Sequence, residues 1–265
     1  LIEELLLVQK EGNICTLTIN RPERRNSLNP EILLKLGDTL NALKEEGEVR
    51  VVVIRGVGEQ AFSSGYDIGR IGTGGGGVPE ETGPRRNPLE YGMSSVLAYP
   101  YPVIAMIYGY AVGAGLELAV TCDLRLAADN AHLGITPAKL GVVYSPSGIQ
   151  KFLNLVGIAH TKELFYTGRL IEAQRAREKG LVDYVFPAVE LESATYELAR
   201  EIAENAPLSI SGAKSTVSKL LSYQTLCPED EAELRELQAR AMRSEDLREG
   251  QRAFMEKRKP NFVGR

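Results

Sequence analysis

The stretch Gly109-Tyr110-Ala111-Val112-Gly113-Ala114-Gly115-Leu116-Glu117, running on to Cys122-Asp123, decides the reading of this chain. It follows Val103 to Ile107, a short apolar run that reads as a strand, and it contains Ala114 to Thr121, which reads as a helix. Small residues at a strand-to-helix turn leave the first N–H groups of the helix open to a ligand oxygen, and the helix dipole adds to the attraction. Tight helix-strand packing that needs no side chains explains the same composition equally well. A dinucleotide fingerprint fits less well, because a GxGxxG/A pattern begun at Gly113 reaches Leu118 where a small residue is required.

Upstream, Ile14 to Ile19 alternates apolar and small polar residues and leaves through Asn20-Arg21-Pro22. Pro30 opens a helix with Ile32, Leu33, Leu36, Leu40 and Leu43 at helical spacing, and Val51 to Ile54 follows as a strand. A second unit has a strand at Ala61 to Ser63, a helix near Pro88 to Leu97 and the strand Val103 to Ile107; a third has the Ala114 helix and a strand Asp123 to Ala127. Repeated βα units predict an α/β fold with a mostly parallel sheet covered by helices.

The segment Gln60-Ala61-Phe62-Ser63-Ser64-Gly65-Tyr66-Asp67 supplies a second turn at a strand end, where ligands of open α/β sheets gather. A capped helix, with Ser64 or Asp67 capping before Ile68, is the plainer alternative. Two such turns can each give one N–H to a single oxygen, and losing one donor of that kind costs about 3 kcal/mol of transition-state stabilisation. Gly72 to Gly83, with four successive glycines from Gly74, lacks the Lys-Ser/Thr of a phosphate loop and reads as a surface loop, a candidate lid.

From Gly148 onward the pattern turns helical, with only Val182 to Phe186 reading as a strand. Glu190 to Glu204, Leu208 to Leu221 and Glu229 to Lys257 carry helical periodicity, the last charged on several faces. A helical layer that cannot bury its apolar faces alone predicts subunit packing.

The scarce residues exclude whole classes of chemistry. Two histidines, His132 and His160, and three cysteines, Cys15, Cys122 and Cys227, stand far apart, so zinc and paired-thiol redox sites are not expected. Both histidines read as structural, and the odd cysteine count reads as reduced thiols rather than a secreted scaffold. The chain of 265 residues carries a formal charge of −4 and has a pI near 5.5, which argues against nucleic acid or an anionic membrane as the main partner. Leu1 to Gln9 carries Glu3 and Glu4 and no basic leader pattern, so a soluble, cytoplasmic protein is expected. Tyr99 and Tyr101 flank Pro100 as a packed turn, and Lys257-Arg258-Lys259 reads as a solvated helix end.

Together these segments resemble the crotonase superfamily, the enoyl-CoA hydratase and isomerase group, over almost the whole chain. The matching pieces are Asn20-Arg21-Pro22 with Asn26-Ser27-Leu28, the Phe62 to Asp67 turn, Gly109 to Asp123, Gly168 with Ala173 and Gly180-Leu181-Val182, and the Glu249-Gly250 to Pro260 run. The resemblance implies a crotonase (ClpP-like) fold of repeated ββα units, with residues 1–200 as the core carrying the CoA and acyl sites. Residues 201–265 would form a C-terminal helical trimerisation region, giving a homotrimer or a dimer of trimers. It implies that the backbone N–H groups of Tyr66 and Ala114 polarise an acyl-CoA thioester carbonyl and that Ser64 contacts the adenine through its backbone. It further implies that Arg25 lies near the CoA phosphates and that Phe254 and Lys257 reach a neighbouring subunit's CoA. No cofactor is implied as permanently bound; coenzyme A enters as part of the substrate.

Hydratases of the superfamily use two glutamates. Glu117 matches the first and shares a helical face with Ala114, while Ala138 stands at the second, and a methyl group exchanges no proton. A closer resemblance is to the branch that decarboxylates methylmalonyl-CoA. It rests on Ile135-Thr136-Pro137-Ala138-Lys139-Leu140-Gly141-Val142-Val143-Tyr144 with Gly148-Ile149, on Lys162 to Phe165 with Ala173 to Ala176, and on Ser244-Glu245-Asp246 through Glu256 to Gly264. There Tyr144 implies a hydroxyl that helps hold the substrate carboxylate, and Tyr66 and Ala114 replace a histidine and a glycine whose backbone N–H is the part used. The function expected is metal-independent decarboxylation of methylmalonyl-CoA or a related malonyl thioester to propionyl-CoA through an enolate. The alternatives are an enoyl-CoA hydratase or isomerase using Glu117, and a non-catalytic acyl-CoA or RNA binder. The role of Glu117 in decarboxylation stays open, since an ionised carboxylate repels another and a protonated one donates a hydrogen bond.

Overall fold

The computed structural model describes residues 4–67, 87–222 and 228–263. The Gly72 to Gly83 loop and Cys227 lie outside the described residues. β1 (Leu6–Glu11) turns at Gly12 and pairs antiparallel with β2 (Ile14–Ile19), from Leu6 opposite Ile19 to Glu11 opposite Ile14. The charged, largely exposed edge strand β1 has no alternating apolar pattern, so the sequence reading assigned nothing to it. β3 (Val51–Gly56), β5 (Val103–Ile107), β7 (Leu124–Ala128) and β10 (Tyr184–Phe186) extend β2 in parallel, in the order β1-β2-β3-β5-β7-β10.

Helices cover both faces of this sheet, which is why its central strands are apolar without alternation. Cys15, Leu17, Val52 and Ile54 face α1 (Pro30–Glu46), whereas Ile14, Val51 and Val53 face α6 (Ala188–Glu204). α1 starts where Asn29 accepts a 2.8 Å hydrogen bond from Ile32 N and ends at Gly47 in the left-handed region. Its stripe of Ile32, Leu33, Leu36, Leu40 and Leu43 is fully buried, each side chain contributing about 1.5–3 kcal/mol.

A second, smaller sheet holds β4 (Ala61–Ser63), β6 (Tyr110–Val112), β8 (His132–Gly134) and β9 (Ile171–Glu172), in the order β4-β6-β8-β9. Its first three strands are parallel. Each follows a long strand of the main sheet, and α2 (Pro88–Ala98), α3 (Ala114–Thr121) and α4 (Pro146–Thr167) come next in turn, so the repeating unit is ββα. The chain bends between the sheets at Gly109, φ +57°, where an added Cβ would sit 2.0 Å from the Gln60 carbonyl oxygen.

Some boundaries differ from those read in the sequence. The periodic run Glu229 to Lys257 is two helices, α8 (Pro228–Arg243) and α9 (Glu245–Met255), broken where Ser244 accepts from Leu247 N at 3.0 Å. The strand read over Val182 to Phe186 begins at Tyr184, because Leu181 N is bonded to Ala176 O in the turn after α5 (Ala173–Glu178). The strand read from Asp123 begins one residue later, Asp123 instead accepting from Val103 N at 2.7 Å. α6 runs through to Glu204, and α7 (Pro207–Ser222) follows, tied back where Lys214 reaches Asp123 at 2.7 Å and the Tyr101 carbonyl at 2.9 Å.

The bend at Gly109 admits no side chain. Gly109→Ala is expected to destabilise the protein by about 3 kcal/mol through the backbone clash and the positive φ. At about 2–4 °C per kcal/mol for a chain of this size the melting temperature should fall by roughly 6–12 °C, and an unchanged melting curve would contradict the tight approach.

Candidate active site

The three parallel strands of the small sheet deliver their carboxyl ends to one edge. β4 ends in Ser64-Gly65-Tyr66, β6 in Gly113-Ala114, and β8 in Ile135-Thr136 followed by a 3-10 turn at Pro137–Lys139. Register holds the ends level, since Val112 pairs with Gly134 and Gly113 N donates to Gly134 O at 2.9 Å. The first two ends touch. A Cβ on Gly65, φ +101°, would lie 2.7 Å from Val112 O and 3.6 Å from Ala114 N.

α3 starts at Ala114 with Gly113 (φ 55°, ψ −125°) as its cap, and no side chain bonds its first turn. Ala114 therefore offers its N–H at the positive end of the helix dipole. Gly115 lets α3 approach β4, where a Cβ would meet Ser63 O at 2.6 Å. Tyr66 is bridged to Leu28: Leu28 N donates to Gly65 O and Asp67 N donates to Leu28 O, fixing the turn on both sides of Tyr66. The two expected oxyanion donors are thus on adjoining turns of one sheet edge.

One helical turn after Ala114, Glu117 is 3% exposed. Its carboxylate forms a 2.8 Å ion pair with Lys151 Nζ from α4, whose side chain is also mostly buried. Lys151 was not singled out in the sequence; it lies 34 residues away, and no local spacing pairs it with Glu117. Its only visible signal is a cation within the mixed run Gly148-Ile149-Gln150-Lys151-Phe152.

Tyr144 precedes α4 and packs edge-on against Phe165, ring centroids 5.3 Å apart, in the space Gly148 leaves open. Its Oη is buried with no hydrogen-bond partner of normal geometry. Burial first, and the nearby Glu117 carboxyl second, hold the hydroxyl pKa well above that of an ordinary phenol. Tyr144 is therefore a neutral hydroxyl with a proton to donate. Ala138 lies exposed in the 3-10 turn and presents a methyl group.

On the other side of Tyr66, Ser64 N donates to Arg25 O at 3.0 Å and Ser64 Oγ donates to Arg24 O at 3.1 Å, so Ser64, Arg25 and Tyr66 come together. Arg25 and Asn26 both have positive φ. Buried Asn26 pins that conformation, donating to Val57 O and Ala61 O and accepting from Arg21 N. In the sequence Asn26 stands out only as part of the Asn26-Ser27-Leu28 match, since its partners Val57 and Ala61 are remote. Arg21 binds Asp67 at 2.9 Å. Phe254 and Lys257 lie exposed at the end of α9, which packs through Gly250 on the Leu140 carbonyl, and no described hydrogen bond or ion pair joins them to Ser64, Arg25 or Tyr66.

The discounted residues have structural partners. His132 stacks on Tyr110 and its Nδ1 lies 3.0 Å from Asn130 O; His160 and Glu163 surround the buried Lys179 ammonium at 3.1 and 2.6 Å. Buried Tyr99 donates to Val49 O at 3.0 Å. Among the described residues no group of three or more His, Cys, Asp or Glu could hold a metal ion. A cavity of about 690 Å³ opens on the α6 side of the main sheet, among Thr16, Thr18, Arg55, Glu192 and Tyr196. Its lining shares no residue with the strand ends of the small sheet, and within it Arg55 pairs with Glu192 and Thr16 with Tyr196.

The enoyl-CoA hydratase/isomerase family model matches residues 9–265. The putative enoyl-CoA hydratase/isomerase YngF of Bacillus subtilis is 34% identical over 99% of both chains. The short-chain-enoyl-CoA hydratase of Clostridium acetobutylicum is 32% identical over 96% of this chain and 95% of its own. A solved methylmalonyl-CoA decarboxylase in complex with 2-nitronate-propionyl-CoA superposes with a TM-score of 0.90 at 31% identity, covering 99% of each chain.

Burial raises the Cys15 thiol to about 11 and the Cys122 thiol to about 12, so neither is a nucleophile near neutrality. Iodoacetamide at pH 8 should leave both unmodified in the folded protein by peptide mass spectrometry. Rapid labelling of either would contradict their burial.

Proposed function

The chain belongs to the enoyl-CoA hydratase/isomerase family, the crotonase superfamily, whose fold it shares with methylmalonyl-CoA decarboxylase, and we propose that this acyl-CoA enzyme decarboxylates methylmalonyl-CoA or a related malonyl thioester. The observation that carries this reading is the buried Tyr144 hydroxyl, which has no hydrogen-bond partner of normal geometry and lies beside the ion-paired Glu117 and Lys151. A carboxylate on the acyl group gives that hydroxyl an acceptor of good geometry. Ala138, with no ionisable group, withholds the second acid that two-carboxylate hydration requires.

In this mechanism the thioester oxygen accepts from the N–H groups of Tyr66 and Ala114. Tyr144 holds the carboxylate out of the thioester plane. The bond from the α-carbon to the carboxylate then breaks, its electron pair flows into the carbonyl, and carbon dioxide leaves. The resulting enolate is stabilised by the two N–H groups more than the substrate was, which is where the rate enhancement arises. A proton drawn from solvent water adds to the α-carbon and restores the thioester, giving propionyl-CoA from methylmalonyl-CoA. Desolvation around Tyr144 favours exchange of a localised carboxylate charge for neutral carbon dioxide. Ser64 and Arg25 face the adenine and phosphates of CoA, and Phe254 and Lys257 complete that grip from a neighbouring subunit of a trimer or a dimer of trimers. Exposed Leu208, Val217, Leu220 and Leu237 along α7 and α8 support such an assembly.

A second reading, hydration or isomerisation of an enoyl-CoA with Glu117 as acid and base, is favoured by the hydratases among the relatives and by Glu117 beside the α3 N-terminus.

Purified protein given methylmalonyl-CoA should release propionyl-CoA; no turnover above background together with rapid hydration of crotonyl-CoA would overturn the proposal. Tyr144→Phe should lower kcat for decarboxylation by about a hundredfold, the scale of a lost oriented donor, and Glu117→Gln by only about tenfold. Abolition by Glu117→Gln with Tyr144→Phe near wild type would instead support the second reading.

Light scattering should find a trimer or hexamer. A stable, fully active monomer would refute the shared CoA site.

A further inference from the structure

Glu117 poses a problem for any acyl group that carries its own carboxylate. It is buried one helical turn from Ala114, at the acyl end of the proposed thioester site. Two unit negative charges about 6 Å apart at an effective dielectric of about 20 repel by an amount equivalent to roughly a hundredfold in affinity. An unpaired Glu117 would therefore restrict the site to uncharged acyl groups.

Lys151 changes that. Its Nζ stands 2.8 Å from Glu117 Oε1, with side-chain exposures of 16% and 4% for the two residues. The neutral Tyr144 hydroxyl also faces the pair. α3 does not require this ammonium, because a glutamate in the first turn already complements the helix dipole. Nor does burying an ion pair commonly add stability over an apolar pair of the same volume. What the ammonium supplies is a zero net charge at the place where the acyl substituent must sit, opposite a neutral hydroxyl with a proton to donate.

We propose that Lys151 is a specificity-determining residue, which cancels the charge of Glu117 and thereby admits acyl groups bearing a carboxylate. The role rests on the reading that the acyl group lies between Ala114 and Tyr144, and it acts on binding rather than on the bond-breaking step. Lys151 reaches the substrate through its effect on Glu117, so it is a positioning residue and not a catalytic one.

Two thioethers of coenzyme A test this by calorimetry: 2-carboxypropyl-CoA, which carries the carboxylate but no thioester carbonyl and cannot react, and propyl-CoA, which is uncharged at the acyl end. The readout is the ratio of their affinities. Lys151→Met should weaken 2-carboxypropyl-CoA by roughly a hundredfold while leaving propyl-CoA within about threefold. Glu117→Gln should shift the ratio the other way by at least tenfold, because the ammonium is then unopposed; this arm decides the matter if Lys151→Met does not fold. A merely structural pair would change both thioethers together, and an unchanged ratio in the folded variants overturns the proposal. Because neither thioether reacts, the result is independent of turnover. A protein that fails to decarboxylate methylmalonyl-CoA yet shows both shifts refutes the decarboxylase reading alone, and one that decarboxylates with an unchanged ratio refutes the role of Lys151 alone.

Discussion

The close approach of two backbone turns, Ser64-Gly65-Tyr66 against Val112-Gly113-Ala114, is the constraint on which the rest of the structure depends. Val112 O occupies the place a Cβ on Gly65 would take, and Ser63 does the same for Gly115. Glycine is needed there for space, and the backbone conformations at Gly65 and Gly113 are ones L side chains rarely adopt. The small parallel sheet brings these turns level, the bend at Gly109 lets the chain pass from the main sheet into the small one, and Asn26 pins the loop that backs Ser64. The two-sided main sheet, with α1 on one face and α6 on the other, gives the edge a rigid support.

Charge is managed around that edge with few groups. Tyr144 stays a neutral phenol because burial and Glu117 both oppose its ionisation. Glu117 and Lys151 cancel one another. The thioester carbonyl itself is the electron sink in the proposed reaction, so the scarcity of histidines and the inert thiols place no obstacle in its way. Backbone donors at a helix start need no reorganisation when charge develops, which is the condition under which they stabilise a transition state most.

Much of this was legible in the sequence where the signal is local. The stripe Ile32 to Leu43, the apolar strands Val51 and Val103, and the turn from Ile107 into Ala114 all stand as read, because each follows from spacing within a few residues. β6 and β9, of three and two residues, carry too few side chains to show a period, and β1 is a mostly exposed edge strand. The break at Ser244 is hidden because both flanking helices are polar and only one residue separates them. The roles of Lys151 and Asn26 are not legible locally for another reason: they lie in partners 31 to 35 residues away, Glu117 for the first and Val57 and Ala61 for the second.

The central claim is geometric: one acyl oxygen takes both N–H groups while the acyl carbon skeleton faces Tyr144, Glu117 and Lys151. A crystal structure with bound propionyl-CoA tests it most directly. The account predicts the thioester oxygen within about 3.2 Å of both Tyr66 N and Ala114 N, with the propionyl chain against the Tyr144 hydroxyl. A propionyl group seated elsewhere, such as the cavity beside α6, or a thioester oxygen bonded to neither nitrogen, would contradict it.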